Sequence, residues 1–143
     1  MIYVINQFDA IHAFDVHTHR LVWQRSLVGE LNSVGDVAAD ANSLYVRSYT
    51  HHPINQERVA FIALNAANGQ IRWQQQYSFS GTYIQGNILG TYAGTLYIDE
   101  WNGTTGTFYA LNPSNGSIRW QMLLGDGQTQ WGITIVAPAG PPF

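Results

Sequence analysis

The sequence predicts an all-β chain of about three four-stranded antiparallel sheets, and three observations carry that expectation. A unit of twelve residues recurs three times without a gap, at 13–24, 63–74 and 110–121. A short strand-forming run centred on a tyrosine precedes each copy. No segment sustains the apolar period of an amphipathic helix.

Each unit opens on a small residue, Ala13, Ala63 or Ala110. Two positions later comes Asp15, Asn65 or Asn112, whose short polar side chain is suited to bond the backbone of a turn. The unit closes on Trp23, Trp73 or Trp120, spaced 50 and then 47 residues apart. Between lie Asn68 and Gly69, or Asn115 and Gly116, the pair favoured where a hairpin turns through positive φ. Ile71 and Trp73 share one strand face, with Arg72 and Gln74 on the other. Each unit therefore reads as a hairpin. In the first copy Thr18 and His19 replace the Asn-Gly pair. Histidine adopts positive φ less readily than glycine, which predicts a looser hairpin and the most degenerate of the three sheets.

Two more strands complete each repeat. One carries Ile2, Tyr3 and Val4, then Leu44, Tyr45 and Val46, then Leu96, Tyr97 and Ile98. The other is an apolar run at 36–39 and 87–92 that returns at 133–137. Residues 1–27 thus supply three strands, 35–77 and 86–124 four each, and 133–137 one. The expected repeat bounds are about 1–34, 35–81 and 82–128, with a closing strand at 133–137 and a proline-rich tail at 138–143.

The pattern Ala-x-Asp/Asn-x-x-x-Gly-x-x-x-Trp resembles the tryptophan-docking motif of the PQQ-like repeat. That repeat builds β-propeller blades in quinoprotein dehydrogenases and in outer-membrane assembly lipoproteins. The resemblance covers roughly residues 1–137. It implies a partial propeller, or one part of an oligomeric ring, with the three tryptophans filling gaps between blades. It is specific for fold and not for function, because one fold hosts many activities. Three blades fall short of a usual ring of six to eight. The chain then reads either as part of a larger propeller or as a head-to-tail homo-oligomer, termini sharing a blade.

Composition narrows the function classes. The 143 residues are 45% hydrophobic and 10% charged, the balance of a chain that buries a core. A net charge of −3 offers no basic footprint for nucleic acid. The absence of cysteine excludes disulfides, thiolate metal sites and cysteine nucleophiles. No apolar run reaches membrane-span length, and the first residues read as a strand rather than a signal peptide. The chain is therefore expected to be soluble. Its compartment is open, with the resemblance leaning extracytoplasmic.

Candidate chemistry is sparse. His17 and His19, with His12, Asp9 and Asp15 nearby in sequence, are candidate metal ligands, against the reading of solvated loop histidines. His51 and His52 sit in an insertion and are candidates for a binding loop. Asp99 and Glu100 are candidates to face a central channel; the alternative places one in solvent and the other on the turn before Asn102. Trp101 and Trp131 lie outside the repeat positions, as inter-blade packing or as a binding patch. No Gly-x-Ser-x-Gly elbow or P-loop lysine occurs. The expected function is a non-catalytic binding or scaffold module for protein partners, without a cofactor. Two alternatives stand beside it: a fragment of a PQQ-dependent dehydrogenase, which brings PQQ and calcium, and a carbohydrate- or cell-wall-binding propeller.

Overall fold

The computed structural model describes residues 1–6, 10–27, 33–50, 58–77 and 85–125. Among these there is no helix. Eleven strands form three antiparallel sheets in chain order. Blade 1 holds β1 (Ile2–Ile5), β2 (Ala10–Phe14) and β3 (Leu21–Ser26). Blade 2 holds β4 (Ser33–Ala39), β5 (Ser43–Thr50), β6 (Arg58–Asn65) and β7 (Ile71–Tyr77). Blade 3 holds β8 (Gln85–Tyr92), β9 (Thr95–Trp101), β10 (Gly106–Leu111) and β11 (Ile118–Gly125). This is the all-β, blade-by-blade architecture expected from the repeats. The expected closing strand at 133–137 and the tail lie outside the described residues.

The recurring unit folds the same way each time. Ala13 pairs across the hairpin with Trp23, Ala63 with Trp73 and Ala110 with Trp120. The register shifts immediately after each of these alanines, so the same bulge recurs in all three blades. The turns that follow are equally alike. Asp15, Asn65 and Asn112 accept a backbone bond from His19, Gly69 and Gly116 at 2.8–2.9 Å, closing the loop. Their side chains accept from His17, Ala67 and Ser114 amides two residues on.

The first turn is not the looser one. His19 takes φ of 57°, beside 71° at Gly69 and 75° at Gly116. Asp15 Oδ1 also accepts from the Thr18 amide at 2.7 Å and the Thr18 hydroxyl at 2.9 Å. These bonds hold the Asp15 carboxyl below the usual carboxylate range, the Thr18 amide contributing most. The added anchoring offsets what histidine loses in the left-handed region.

Two apolar cores lie between the blades rather than within them. Tyr3, Ile11, Ala13 and Trp23 of blade 1 pack against Leu44, Val46, Ile62 and Leu64 of blade 2. Tyr45, Phe61, Ala63 and Trp73 of blade 2 pack against Ile88, Leu96, Ile98, Tyr109 and Leu111 of blade 3. Alternation along β5 and β6 sends successive side chains to opposite faces, so blade 2 feeds both cores. The two four-stranded sheets meet most closely through their first strands, β4 and β8.

Candidate functional site

The three repeat tryptophans, alike in sequence, occupy different surroundings. Trp23 and Trp73 are each only 8% exposed, whereas Trp120 is 47% exposed. The Trp23 Nε1–H donates to Ala66 O at 2.9 Å, and the Trp73 Nε1–H donates to Pro113 O at 2.8 Å. Each ring therefore reaches the hairpin turn of the next blade. There it lies over the left-handed glycine, Gly69 under Trp23 and Gly116 under Trp73. A tyrosine tilts onto each ring from its own blade, Tyr3 at 5.9 Å and Tyr45 at 6.1 Å between centroids.

A second anchor sits two residues past each docked tryptophan. Arg25 Nη1 donates to Gly69 O at 3.5 Å, and Gln75 Nε2 donates to Asn115 O at 3.1 Å. In blade 3 that position is Met122, which has no donor. Trp120 nevertheless carries the same aromatic companions as Trp73. Tyr97 lies 6.2 Å and Phe108 5.5 Å from its ring centroid. Blade 3 thus presents outward a copy of the surface that blade 2 buries, and among the described residues nothing covers it. Met122, exposed at 52% and paired with Phe108, extends this patch along β11.

A polar group lies where blades 2 and 3 converge. Arg47 on β5 pairs with Asp36 on β4 at 3.5 Å and donates to Asn87 Oδ1 on β8 at 3.2 Å. Asp99 Oδ1 accepts from the Asn87 amide at 3.0 Å and from its Nδ2 at 2.8 Å. Burial raises the Asp99 pKa, against the pull of the Asn87 bonds. Gly35 makes room for this network, because a Cβ there would stand 2.5 Å from the Arg47 guanidinium.

Glu100 occupies a different face of the same strand. It is 6% exposed, and its Oε2 accepts from the Tyr109 hydroxyl at 3.0 Å. Its Oε1 is buried without a hydrogen-bond partner among the described residues. Burial pushes the Glu100 pKa up to about 8, and the Tyr109 pKa to about 12. The reading that divides Asp99 and Glu100 between solvent and turn is therefore corrected at Glu100, which is buried and does not cap the turn. Both are engaged with neighbours, and the turn is held instead by Asn102 Oδ1, which accepts from the Thr104 and Thr105 amides at 3.0 and 2.8 Å. Residue type alone misled here: the alternation that buries Leu96 and Ile98 carries Glu100 in with them.

This arrangement has a pH consequence. The ordinary glutamate pKa of 4.5 lies below the folded value near 8. Between these the folded state keeps a proton that the unfolded chain releases, so stability falls as pH rises through that window and levels off above it. The slope approaches about 1.4 kcal/mol per pH unit. Glu100→Gln should flatten that part of the profile in denaturant melts; parallel profiles for wild type and variant would refute the assignment.

The remaining candidates are quickly placed. His17 and His19 are exposed in the first turn, and no group of three His, Asp or Glu among the described residues could hold a metal ion. Trp101 is half-buried at the end of β9, opposite Gln85 and Gly106. His51, His52, Asp9 and Trp131 lie outside the described residues. Sequence reasoning missed one recurring contact. Arg72 Nη1 donates to Ser43 Oγ at 2.6 Å, and Arg119 Nη1 donates to Thr95 Oγ1 at 2.8 Å, tying the outer strand of each blade back to its second strand. The Arg that precedes each of these tryptophans was the available signal.

Comparison with known proteins decides the family. A family model described as outer membrane protein assembly factor BamB matches residues 1–142. The chain belongs to this family of PQQ-like β-propeller repeats. Among solved structures it is similar to BamB from Moraxella catarrhalis, with a TM-score of 0.61 and 16% identity over 89% of this chain. It is also similar to quinohemoprotein alcohol dehydrogenase from Comamonas testosteroni, with a TM-score of 0.59 and 22% identity over 85% of this chain. A quinohemoprotein alcohol dehydrogenase from Pseudomonas putida HK5 gives 0.59 and 19% over 85%. The chain spans 33% of the first protein's length and 19% of each of the other two. At these identities the likeness is one of fold. No match was found among curated protein sequences. Among the described residues no helix is long and apolar enough to cross a membrane.

The dehydrogenase likeness raises PQQ and its calcium ion as groups to test against the residues present. Calcium takes six to eight oxygen ligands, several of them carboxylates. The carboxylates that lie together here, Asp36 and Asp99, flank the cationic Arg47. A guanidinium at that point repels a second cation, so the described residues do not fit the group.

Proposed function

We propose that the chain is a stretch of a non-catalytic propeller scaffold that engages protein partners. The observation that carries this reading is the outer face of blade 3. It repeats the aromatic packing surface of blade 2 and leaves Trp120 half exposed. In this reading Trp23 and Trp73, with the alanines opposite them and the glycines beneath them, are docking residues that set blade spacing. Asp15, Asn65 and Asn112 shape the turns that receive the rings. An assembly role outside the cytoplasm is supported by the family description.

A dehydrogenase fragment is the competing reading, supported by the fold likeness to two quinohemoprotein enzymes. Titration of the chain with PQQ and calcium, followed by absorbance and by dye-linked alcohol oxidation, separates the two. The scaffold reading expects no saturable spectral change and no oxidation. A saturable shift accompanied by turnover would overturn it.

A further inference from the structure

Asparagine followed by glycine occurs three times in the chain, at Asn68-Gly69, Asn102-Gly103 and Asn115-Gly116. The pair is chemically labile as well as turn-forming. The amide nitrogen of the second residue can attack the side-chain carbonyl carbon of the first, and glycine, with no Cβ, leaves that approach open. Local structure governs the attack in three ways. The glycine amide must be free of other bonds, water must reach it, and donors should face the oxygen on which charge develops.

The two repeat turns withhold the nucleophile. Gly69 N donates to Asn65 O at 2.8 Å, and Gly116 N donates to Asn112 O at 2.8 Å. Both glycines are buried beneath indole rings, Trp23 over Gly69 and Trp73 over Gly116. Freeing either amide requires the turn to open and the ring above it to lift, a local unfolding event. Asn102-Gly103 belongs instead to the β9–β10 turn, at the opposite end of β10 from the receiving turn. Gly103 is exposed, with φ of 91°, and its amide has no hydrogen-bond partner among the described residues.

The same turn prepares the electrophile. Asn102 Oδ1 accepts from the Thr104 amide at 3.0 Å, the Thr105 amide at 2.8 Å and the Thr105 hydroxyl at 3.3 Å. The Oδ1 atoms of Asn68 and Asn115 each accept from a single amide among the described residues, those of Gln70 and Ser117, at 3.0 Å. Donors fixed around an oxygen that becomes anionic in the transition state lower the barrier. Exposure of the asparagines alone would rank the sites the other way, since Asn68 and Asn115 are exposed and Asn102 is half-buried.

We propose that Asn102-Gly103 is a site of self-modification, where asparagine converts to aspartate and isoaspartate in the folded chain while the repeat turns keep theirs. The Gly103 nitrogen loses its proton and bonds to Asn102 Cγ. The bond from Cγ to Nδ2 breaks, and Nδ2 takes up a proton and leaves as ammonia. Water then adds to either carbonyl carbon of the resulting cyclic imide, and the ring nitrogen regains a hydrogen as its bond to that carbon breaks. Opening at Cγ gives aspartate. Opening at the main-chain carbon gives isoaspartate, whose chain runs through the former side chain. Water has replaced ammonia, nothing is oxidised or reduced, and either product adds one negative charge to a chain of net charge −3.

The test is peptide mass mapping of the intact chain, incubated at a mildly alkaline pH where circular dichroism shows it folded. The peptide holding Asn102 should gain the mass difference between water and ammonia about tenfold faster, or more, than those holding Asn68 and Asn115, the factor expected from one protecting hydrogen bond. Enzymatic methylation of isoaspartate should label the same peptide. In denaturant the three sites should react at similar rates, because each has glycine next. Equal rates at all three sites in the folded chain, or faster reaction at Asn68 or Asn115, would overturn the proposal. A preference for Asn102 that persists unchanged in denaturant would overturn it too, by tracing the difference to sequence neighbours rather than to the turn.

Discussion

Trp73→Ala should destabilise the chain by roughly 3–5 kcal/mol in denaturant unfolding. The expectation follows from what the ring does at the junction of blades 2 and 3. It is 8% exposed, donates to Pro113 O at 2.8 Å and lies over Gly116. A buried tryptophan removes on the order of 150–250 Å² from water, which at about 25 cal/mol per Å² gives roughly 4–6 kcal/mol as an upper bound. Truncation also strands the Pro113 carbonyl and leaves a cavity beside Tyr45. Trp120→Ala is the comparison that gives the number meaning. The same residue type in the same motif stands 47% exposed, with no next turn to grip among the described residues, and its removal should cost roughly 2 kcal/mol or less. Equal losses at both positions would show that stabilisation comes from the hairpin itself and not from docking.

Gly116→Ala carries the second largest expected effect, roughly 2–5 kcal/mol. Two costs add. The left-handed backbone, φ 75°, disfavours a side chain by about 1–2 kcal/mol. The new methyl would meet Trp73 Cε3 at 2.8 Å, an overpacking cost of about 1–3 kcal/mol. Gly94→Ala separates the two. Gly94 has φ of 68°, yet a Cβ there has no heavy atom within 4 Å. Only the backbone cost remains, so Gly94→Ala should lose about 1–2 kcal/mol. Thermal melts that place the two variants together would contradict the claim that the indole occupies the space above Gly116.

The hairpin units, their turns and the four-strand repeat were legible in the residues, because each depends on neighbours close in the chain. Asn68 and Gly69 announce a turn whatever lies beyond it. What a blade touches is a different matter. Trp23, Trp73 and Trp120 hold the same place in their motifs, and the burial of each is decided by the next blade's turn about 45 residues downstream. Glu100 shows the same limit. A carboxylate near a loop is expected in water, and only its register beside Leu96 and Ile98 shows that it is carried into the junction. The substitution at His19 was visible in the sequence, but its meaning was not. It predicted a loose hairpin; the bonds from His17 and Thr18 to Asp15 make a firm one.

The docking account is tested most directly by hydrogen exchange at the indole nitrogens, followed by NMR on the intact chain. Trp23 and Trp73 hold their Nε1–H groups in bonds to Ala66 O and Pro113 O between blades, whereas Trp120 has no such bond among the described residues. The account predicts slow exchange for Trp23 and Trp73, requiring the junctions to open, and fast exchange for Trp120. Trp120 protected as strongly as the other two, or Trp73 exchanging as freely as Trp120, would contradict it.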